Sequence, residues 1–372
     1  MKNSPFPIRT NTTAPFSKAT KGEQSDTRKS VFVTGAGGYV GSVLIPQLLD
    51  AGYHVKALDR FFFGREKLAS HDCLEIIEAD CRDYAPELLQ GVEAVIDLVA
   101  ISNDPSGEHF QEATWQINAD SRIRTATLAK EAGVSRYIFP SSCSVYGFQD
   151  EAVDESSALN PLTTYAKANL KAENGVRAIA DDTFTVTIMR QATLFGVSPR
   201  MRFDLAINGM TQGAWQSRKL PLMRDGSQFR PMLHVADTAD AMLTLLQAPA
   251  ALINGETFNI GGDENNCQIG PLGESVAKQV GQTLQQDIPI EWYGDPDHRS
   301  YRVDFSKIQR VLGWQPKWSP AKGVSEIVSA LADGTISRTP QTLTLGWYQS
   351  IVESQNLDSL LHPMQQSAKV TV

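Results

Sequence analysis

The fold of this chain is decided by the stretch Val31-Phe-Val-Thr-Gly-Ala-Gly-Gly-Tyr-Val-Gly41. Its first three residues are apolar and two of them are β-branched, which predicts a short buried strand. A glycine-rich turn follows, and apolar residues at helical spacing predict a helix over Ser42–Asp50. Such a turn gathers backbone N–H groups at a helix N-terminus, where they attract anions, above all a dinucleotide pyrophosphate.

Three glycines have separate roles in that turn. Gly35 turns the chain, Gly38 lets the backbone approach phosphate, and Gly41 lets the helix pack on the strand. Glycine spacing alone is as often a plain turn, but a second predicted strand ends in Asp59, 18 residues after Gly41. An acidic residue there binds the adenine ribose hydroxyls and repels a 2′-phosphate. The pattern favours NAD over NADP, although Arg60 beside Asp59 offsets part of the repulsion.

Composition limits the kind of protein that this chain can be. With 372 residues, 41% of them hydrophobic and 20% charged, it resembles a soluble globular protein of one large or two modest domains. The net charge of −8 argues against nucleic-acid and anionic-membrane partners, and no apolar run reaches the roughly 18 residues of a membrane span. The four cysteines and six histidines show no metal-ligand spacing. We therefore expect reduced cysteines, no metal and a cytoplasmic location.

The chain divides into segments of different character. Residues 1–29 are polar and proline-containing, so we expect a disordered tail. A targeting segment is the alternative, because six Lys and Arg face two acidic residues there, but three prolines oppose an amphipathic presequence helix. From residue 30, strands and helices alternate, which predicts an α/β fold with a doubly wound parallel sheet. One of these strands is predicted over the apolar run Ala94–Ala100.

We assign residues 30–196 to a dinucleotide-binding Rossmann domain, to which residues 230–262 return. Residues 197–229 carry irregular, polar sequence with several arginines, and together with residues 263–335 they are assigned to a smaller substrate-binding lobe. The sequence indicates no role for residues 336–372.

A second group of residues carries the predicted chemistry. Ser141-Ser-Cys-Ser-Val-Tyr-Gly147 follows a predicted strand, and Tyr165 lies 18 residues further on, in a predicted helix over Thr163–Ala180. A serine at a strand end that faces a tyrosine on the next helix can hold a substrate oxygen, with the tyrosine placed for proton transfer as hydride moves. The alternative is that Ser142 caps a turn and Tyr165 is a half-buried aromatic. Their position after a dinucleotide-type turn favours the chemical interpretation.

With these motifs in this order, the chain resembles the extended short-chain dehydrogenase/reductase family, the NAD-dependent nucleotide-sugar epimerases, dehydratases and reductases. The resemblance runs from about Val31 to Pro316. Its further motifs are Asp80-Cys81, Asp97-Leu-Val-Ala100, Asp225-Gly-Ser-Gln-Phe-Arg230, Leu233-His-Val-Ala-Asp237, Phe258-Asn-Ile-Gly261 and Leu312-Gly-Trp-Gln-Pro316. It implies a nucleotide-sugar substrate and a homodimer.

The resemblance also implies roles for individual residues. For the cofactor it implies Gly35, Gly38, Tyr39, Val40, Gly41, Asp59, Arg60, Asp80, Cys81, Leu98, Ala100, Tyr165 and Asn169. For the substrate it implies Ser102, Ser142, Thr193, Arg230, Arg299 and Arg302, and arginine suits the diphosphate because its planar fork matches phosphate. For catalysis it implies Ser142, Tyr165 and Asn169.

One departure from the family concerns the tyrosine. The family signature is Tyr-x-x-x-Lys, and here the fourth position after Tyr165 is Asn169. The two residues share a helix face, whereas Lys167 and Lys171 point elsewhere. The family lysine binds the nicotinamide ribose and lowers the tyrosine pKa; asparagine can keep the hydrogen bonds but brings no charge. The charge of the NAD⁺ ring or a lysine from the lobe could replace it, or Tyr165 only orients substrate.

A second departure narrows the reaction. The 4,6-dehydratase branch carries an Asp-Glu pair where this chain has Cys143 and Ser144, so we do not expect 4,6-dehydration. We predict an NAD-dependent epimerase that oxidises a ring hydroxyl transiently and returns the hydride. The first alternative is a ketosugar reductase or dehydrogenase with net hydride transfer. The second is an NAD-binding protein with little or no turnover, because Asn169 replaces the lysine.

Overall fold

The fold is built on a large, mostly parallel β-sheet. We describe it from a computed structural model, which covers residues 29–295, 300–354 and 369–371; the predicted tail before Lys29 lies outside these ranges. The strands are β1 (Ser30–Thr34), β2 (His54–Asp59), β3 (Leu74–Glu78), β4 (Ala94–Asp97), β5 (Arg136–Ser142), β6 (Ala152–Val153), β7 (Thr185–Gln191), β8 (Thr193–Phe195), β9 (Leu220–Met223), β10 (Phe229–His234), β11 (Thr257–Ile260), β12 (Asn266–Gln268), β13 (Ile290–Tyr293), β14 (Arg302–Val303) and β15 (Lys369–Thr371).

Helices cover both faces of this sheet and form most of the lobe. They are α1 (Gly41–Asp50), α2 (Asp104–His109), α3 (Gln111–Trp115), α4 (Ser121–Glu131), α5 (Thr164–Arg177), α6 (Ala206–Ser217), α7 (Val235–Gln247), α8 (Ala250–Ile253), α9 (Ile269–Leu284), α10 (Ser306–Leu312), α11 (Pro320–Ala332) and α12 (Thr344–Ser354). A π-helical segment, Gln116–Asp120, joins α3 to α4.

The strand order of the large sheet is β11-β7-β5-β4-β1-β2-β3-β15. All neighbouring pairs are parallel except β15, which runs antiparallel to β3. The chain starts at β1, winds outward to β3, then crosses back to β4 and winds outward in the other direction. The order therefore reverses between β1 and β4, which is where doubly wound sheets form their ligand crevice. The predicted fold class is confirmed.

Alternation along β1 shows how the two faces are covered. Val31 and Val33 pack in the core that includes α1 and α7, whereas Phe32 packs in the core that includes α4 and α5. Because both faces are buried, the strands read as apolar runs. The predicted strand over Ala94–Ala100 is shorter, however, since β4 ends at Asp97. Its partner β1 turns away after Thr34, whose carbonyl accepts a last hydrogen bond from Leu98 N at 3.2 Å.

The segment after Gly196 is more regular than predicted. It contains α6 and β9, which pack with α9 and α11 in a third core around Ile207, Leu222, Val276 and Ile327. The helical period of α6 is hidden in the sequence because polar residues, Asn208 among them, are also buried on its inner face. Strand β10 pairs with β8 and β12 in a separate three-stranded sheet, whereas β11 joins the large sheet.

The C-terminal segment packs on the Rossmann domain. Helix α12 contacts the second core, and the Trp347 Nε1–H donates to the Phe62 carbonyl at 2.6 Å. Strand β15 extends the edge of the large sheet beside β3. Among the described residues, no helix has the length and apolar character that a membrane crossing requires.

Candidate active site

A cleft of about 470 Å³ opens at the carboxyl ends of the central strands. Its wall includes most of the predicted site residues: Gly35, Gly38, Tyr39, Val40, Gly41, Asp59, Arg60, Asp80, Cys81, Leu98, Ala100, Ser102, Ser142, Tyr165, Thr193 and Arg230. Two predicted residues, Asn169 and Arg302, are not on this wall. Arg299 lies outside the described residues.

The glycine turn has the shape that phosphate binding requires. Gly35 has φ +67°, and a Cβ there would lie 2.7 Å from Val99 N. A Cβ on Gly41 would lie 2.4 Å from the Ala36 carbonyl oxygen, so only glycine lets α1 start against the turn. A Cβ on Gly38 would meet only one atom within 4 Å, Gly35 O at 3.0 Å, so this backbone faces open space. The turn can therefore accept a pyrophosphate against its backbone.

The acidic end of β2 closes one side of the turn. Asp59 accepts hydrogen bonds from Gly37 N at 3.0 Å and from Phe61 N at 2.6 Å. Burial raises the pKa of Asp59, and these two N–H groups oppose that rise. Its carboxylate thus lies beside the turn, where a ribose would lie in a bound dinucleotide.

The Asp80 carboxylate forms ion pairs with two arginines. Arg60 Nη1 lies 3.0 Å and Arg82 Nη2 lies 2.8 Å from Asp80 Oδ2. Although burial raises its pKa, hydrogen bonds and charge from Arg82, with the charge of Arg60, hold the pKa of Asp80 below its usual range. The buried Cys81 thiol beside it has its pKa raised to about 12 by burial, so it remains a neutral, apolar border for an adenine.

A latch of hydrogen bonds joins the glycine turn to the segment after β8. Tyr39 Oη donates to Gly196 O at 2.7 Å and accepts from Asn208 Nδ2 at 3.1 Å. Ser198 Oγ donates to Tyr39 O at 2.8 Å and lies 2.9 Å from Ser42 Oγ. The predicted cofactor turn and the lobe are therefore in direct polar contact.

Ser142 and Tyr165 meet in the cleft. Ser142 ends β5, and its hydroxyl accepts from Ser144 N at 3.1 Å and lies close enough to the Tyr165 side chain to lower its pKa. Tyr165 lies in the first turn of α5, which Thr163 caps by accepting from Ala166 N. A Cβ on Gly107 would lie 3.1 Å from the Tyr165 Cβ, so α2 packs closely against the tyrosine. The turn-capping role and the predicted pairing of Ser142 thus coexist.

A buried ion pair supports the strand end that carries Ser142. Arg190 Nη2 lies 2.8 Å from Glu173 Oε2, and their side chains are 3% and 0% exposed. Ser141 Oγ donates to Glu173 Oε1 at 2.6 Å, and Arg190 Nη1 donates to Tyr146 Oη at 3.1 Å. The neighbouring Cys143 is fully buried, with its thiol 3.2 Å from Arg190 O. It cannot act as an acid or base in the cleft.

Asn169 lies behind the cleft wall rather than on it. It is 1% exposed, its Nδ2 donates to Tyr165 O at 3.0 Å, and its Oδ1 accepts from Arg122 Nη1 at 3.0 Å. This corrects the expectation that Asn169 itself faces the cofactor, since both ends of its amide are engaged inside the protein. Arg122, which the sequence analysis did not select, lines the cleft at this point.

The lobe side of the cleft is cationic. Arg200 is 4% exposed, stacks 3.6 Å above the Phe63 ring, and donates to Thr344 Oγ1 at 3.0 Å. Its Nε and Nη1 are buried without a hydrogen-bond partner among the described residues. Burial and the charge of Arg202 lower the pKa of Arg200 to about 10, so it stays protonated at neutral pH. Such buried donors are costly unless a ligand accepts from them, which points to an anion at this wall.

The predicted substrate residues divide into two groups. Arg230 lies 5.5 Å from the Tyr301 ring, and Thr193 lies close enough to the Tyr301 hydroxyl to oppose the rise in its pKa, so these three side chains adjoin on the wall. Ser102 Oγ accepts from Arg202 Nη1 at 3.1 Å. Arg302, in contrast, is exposed on β14 and stacks 5.5 Å from the Phe229 ring, outside the cleft. Its predicted role is therefore not supported.

Several residues of the wall were not predicted from the sequence: Arg122, Arg200, Arg202, Asp204 and Tyr348. Arg200 and Arg202 belonged to the arginines noted after Gly196, but no spacing rule selected them. Tyr348 comes from α12, for which no motif existed. Arg122 is one of two arginines in α4, and only the packing shows which one faces the cleft.

The chain is similar to proteins of known class. The model of the NAD dependent epimerase/dehydratase family matches residues 31–261, more than half of the chain. An uncharacterized UDP-glucose epimerase of Bacillus subtilis is 27% identical, over 81% of this chain and 98% of its own length. A UDP-glucose 4-epimerase of Mycolicibacterium smegmatis is 28% identical, over 80% and 96%. The fold resembles that of a Bacillus cereus UDP-glucuronic acid 4-epimerase solved with UDP-glucuronic acid and NAD, with TM-score 0.73, 22% identity and 82% and 99% of the two chains covered.

Proposed function

Since the chain belongs to the NAD-dependent epimerase/dehydratase family, we propose that it epimerises the ring of a nucleotide sugar through a transient keto-sugar. Membership of this family confirms the predicted resemblance, the NAD-dependent enzyme class and the NAD cofactor. The observation that carries the proposal is that Ser142 and Tyr165 adjoin on the wall of the cleft onto which the glycine turn opens.

NAD fits the residues at this end of the cleft. The Gly35–Gly41 turn would hold the pyrophosphate, Asp59 the adenine ribose, and Asp80 with Cys81 the adenine border. Bound NAD⁺ supplies a hydride acceptor that can return the hydride to the same carbon. Two buried donors of Arg200 have no hydrogen-bond partner within the described part of the chain, and they support an anionic group beside the turn. The position of Asp59 supports NAD over NADP because a 2′-phosphate would lie against its carboxylate.

Ser142 and Tyr165 have distinct tasks in this proposal. The Ser142 hydroxyl hydrogen-bonds the reacting sugar oxygen, and Tyr165 takes the proton from that oxygen as hydride leaves the same carbon. For epimerisation the keto-sugar must turn in the cleft so that the hydride returns to its opposite face, and Tyr165 then gives the proton back. Burial raises the pKa of Tyr165, and the Arg122 charge and the Ser142 hydrogen bond oppose that rise. A tyrosine left with a raised pKa would stay protonated at neutral pH and could not accept the proton.

The arginines of the lobe support a substrate that carries a nucleoside diphosphate. Arg230 and Arg202 lie on that wall, and a guanidinium matches phosphate oxygens better than an ammonium does. The relatives that act on UDP-glucose make UDP-sugars the first substrates to test.

Net hydride transfer is the second candidate function, because a reductase or dehydrogenase would use the same residues. The two reactions differ in the fate of the cofactor. An epimerase regenerates NAD⁺ in every turnover and can keep it bound, whereas net redox requires exchange. A binding protein without turnover is the third candidate, motivated by Asn169.

The test combines native mass spectrometry with turnover by NMR. The purified protein is examined for retained NAD and for its oligomeric mass, where we propose a homodimer. It is then incubated with UDP-, dTDP-, GDP- and CDP-sugars, with and without added NAD⁺. An epimer formed without net NADH supports the proposal. Net NADH formation or consumption would instead establish the redox reaction, and no product with any sugar would favour the binding protein.

Tyr165→Phe removes only the proposed acid/base hydroxyl. We expect its turnover to fall at least about 10²-fold, because positioned proton transfer contributes about 10²–10⁴-fold. Tyr293→Phe is the matched control, since Tyr293 is 51% exposed on β13 and outside the cleft. Full turnover by Tyr165→Phe would refute the assignment.

A further inference from the structure

Arg122 is a buried cation in an unusual setting. It is 2% exposed, and it follows the π-helical segment Gln116–Asp120 at the start of α4. Its guanidinium donates to the backbone carbonyls of Val99 at 2.8 Å, Asp97 at 3.3 Å and Pro140 at 3.4 Å, and to Asn169 Oδ1 at 3.0 Å. None of these four acceptors is a carboxylate. A charge buried without a directly bonded counter-ion is expensive, which calls for a reason beyond packing.

The nearby acidic group does not neutralise it directly. The Asp97 carboxyl is within electrostatic reach of Arg122, but it accepts hydrogen bonds from the hydroxyls of Thr34 and Tyr137. Burial also raises the pKa of Asp97. The positive charge of Arg122 is therefore left to act on the cleft wall, of which it is a part.

The π-helical segment explains how Arg122 reaches this position. Within it, Asn118 is fully buried, and its amide binds the Ile101 backbone twice, accepting from N at 2.8 Å and donating to O at 2.9 Å. These two hydrogen bonds join the π-helical segment to the chain that follows β4. Val99, in that same stretch, accepts a hydrogen bond from Arg122 through its carbonyl. π-Helical turns inside helices are frequent at functional sites.

We propose that Arg122 supplies the positive charge that the family lysine would provide at position 169, and that Asn169 holds its guanidinium beside Tyr165. The positive charge that the family carries on the helix equivalent to α5 is here carried by α4. Asn169 accepts from Arg122 through one end of its amide and donates to Tyr165 O through the other, so it connects the cation to the helical turn that carries the tyrosine. A lysine at 169 would place an ammonium against the guanidinium, so asparagine suits a site that contains Arg122.

Groups on four elements act on the Tyr165 hydroxyl. After burial, which raises its pKa, Arg122 from α4 is the leading influence and lowers it, Asp104 from α2 raises it, and Ser142 from β5 and Arg202 from the lobe lower it. Arg122 is thus the main cation that favours the ionised tyrosine. The inference rests on the proposed function in one respect, namely that Tyr165 exchanges a proton during turnover.

The test measures the ionisation of Tyr165 in the protein without cofactor. A ring-fluorinated tyrosine at position 165 gives a single ¹⁹F NMR signal, and the fluorine lowers the phenol pKa into a pH range where proteins stay folded. We expect Arg122→Gln to raise the titration midpoint by about one pH unit or more, because a nearby opposite charge shifts a pKa by about 1–3 units. Arg122→Lys should keep part of the effect. An unchanged midpoint in Arg122→Gln would overturn the proposal.

Arg124→Gln is the matched control. Arg124 lies on the same helix, but it stacks on Tyr84 and donates to Tyr84 O at 2.9 Å, away from the cleft. It should leave the midpoint at position 165 unchanged. A midpoint that moves equally in both variants would mean a general loss of positive charge and would refute a specific role for Arg122.

A rescue experiment covers the case in which Arg122→Gln folds poorly. The double variant Arg122→Gln/Asn169→Lys restores a cation at the family position, so its midpoint should return towards that of the parent. Failure of this folded double variant to lower the midpoint would also count against the proposal. Because the titration needs no substrate, a shifted midpoint with no turnover would refute only the proposed function, whereas turnover with an unshifted midpoint would refute only the role of Arg122.

Discussion

The buried pair of Glu173 and Arg190 allows a sharp prediction about stability. Glu173→Gln keeps the size of the side chain but removes its charge and turns an amide NH₂ towards guanidinium donors. Arg190 Nε and Nη2 lie 2.8 to 3.2 Å from the carboxylate oxygens, so three charged contacts change at once. Removing one partner of a buried ion pair costs about 3–5 kcal/mol, because the other charge stays buried and unpaired.

That cost would be a large share of the folding free energy, which is typically about 5–15 kcal/mol. The assay is urea unfolding at pH 7, followed by circular dichroism, with Glu131→Gln as control. Glu131 is exposed at the end of α4, so its substitution should change the unfolding free energy by less than about 0.5 kcal/mol. The double variant Glu173→Met/Arg190→Met leaves no stranded charge and should lose less stability than the two single variants combined.

Two results would refute this reasoning. One is a loss below about 1 kcal/mol in Glu173→Gln, which would mean that water or rearrangement compensates the guanidinium. The other is a double variant whose loss equals the sum of the single losses, which would mean that the two charges do not interact. Because Ser141 donates to Glu173 and is followed by Ser142, the proposed catalytic serine, the Glu173→Gln variant should also lose turnover.

Two further predictions concern the glycine turn and the lobe. Gly41→Ala places a methyl group 2.4 Å from the Ala36 carbonyl oxygen. It should weaken NAD binding at least about tenfold and lower the unfolding free energy by about 1–3 kcal/mol. Isothermal titration calorimetry measures the NAD affinity. Gly213→Ala, whose Cβ would meet nothing within 4 Å, is the control and should bind NAD as the parent does. Burial raises the pKa of Asp204, but the charge and hydrogen bonds of Arg202 lower it to about 2. Above its unfolded pKa of about 3.9, the ionised carboxylate should therefore add about 2 kcal/mol to the unfolding free energy. This contribution should be lost as pH falls towards 2. The unfolding free energies of the parent and of Asp204→Asn should therefore converge below pH 4. A difference between them that stays constant as pH falls would contradict the assignment.

The local signals of the sequence predicted one half of the cleft well. The glycine turn, Asp59 and the pairing of Ser142 with Tyr165 depend on residues within one or two elements, where strand, turn and helix dictate geometry. Arg122 depends on the π-helical turn before it and on the packing of α4 against α5. No periodicity distinguishes it from Arg124 two positions later.

The lobe was harder to predict for a related reason. Arg200 is held by Thr344, 144 residues later, and Arg202 by Ser102, 100 residues earlier, as well as by Asp204. Sequence spacing carries no information about the two distant contacts. Helix α6 was not predicted because its inner face buries polar residues, including Asn208. The same polarity that hid the helix supplies the latch to Tyr39.

That latch limits how the lobe can move relative to the glycine turn. Tyr39 of the glycine turn and Ser42 at the start of α1 contact Gly196, where the Rossmann segment ends, and Ser198 and Asn208 of the lobe. Separating the glycine turn from the lobe at this end would break all of these bonds. We therefore expect any opening of the cleft to be a tilt of the lobe about this end. Under the proposed function, such a tilt would let sugar enter and leave while the dinucleotide end stays closed.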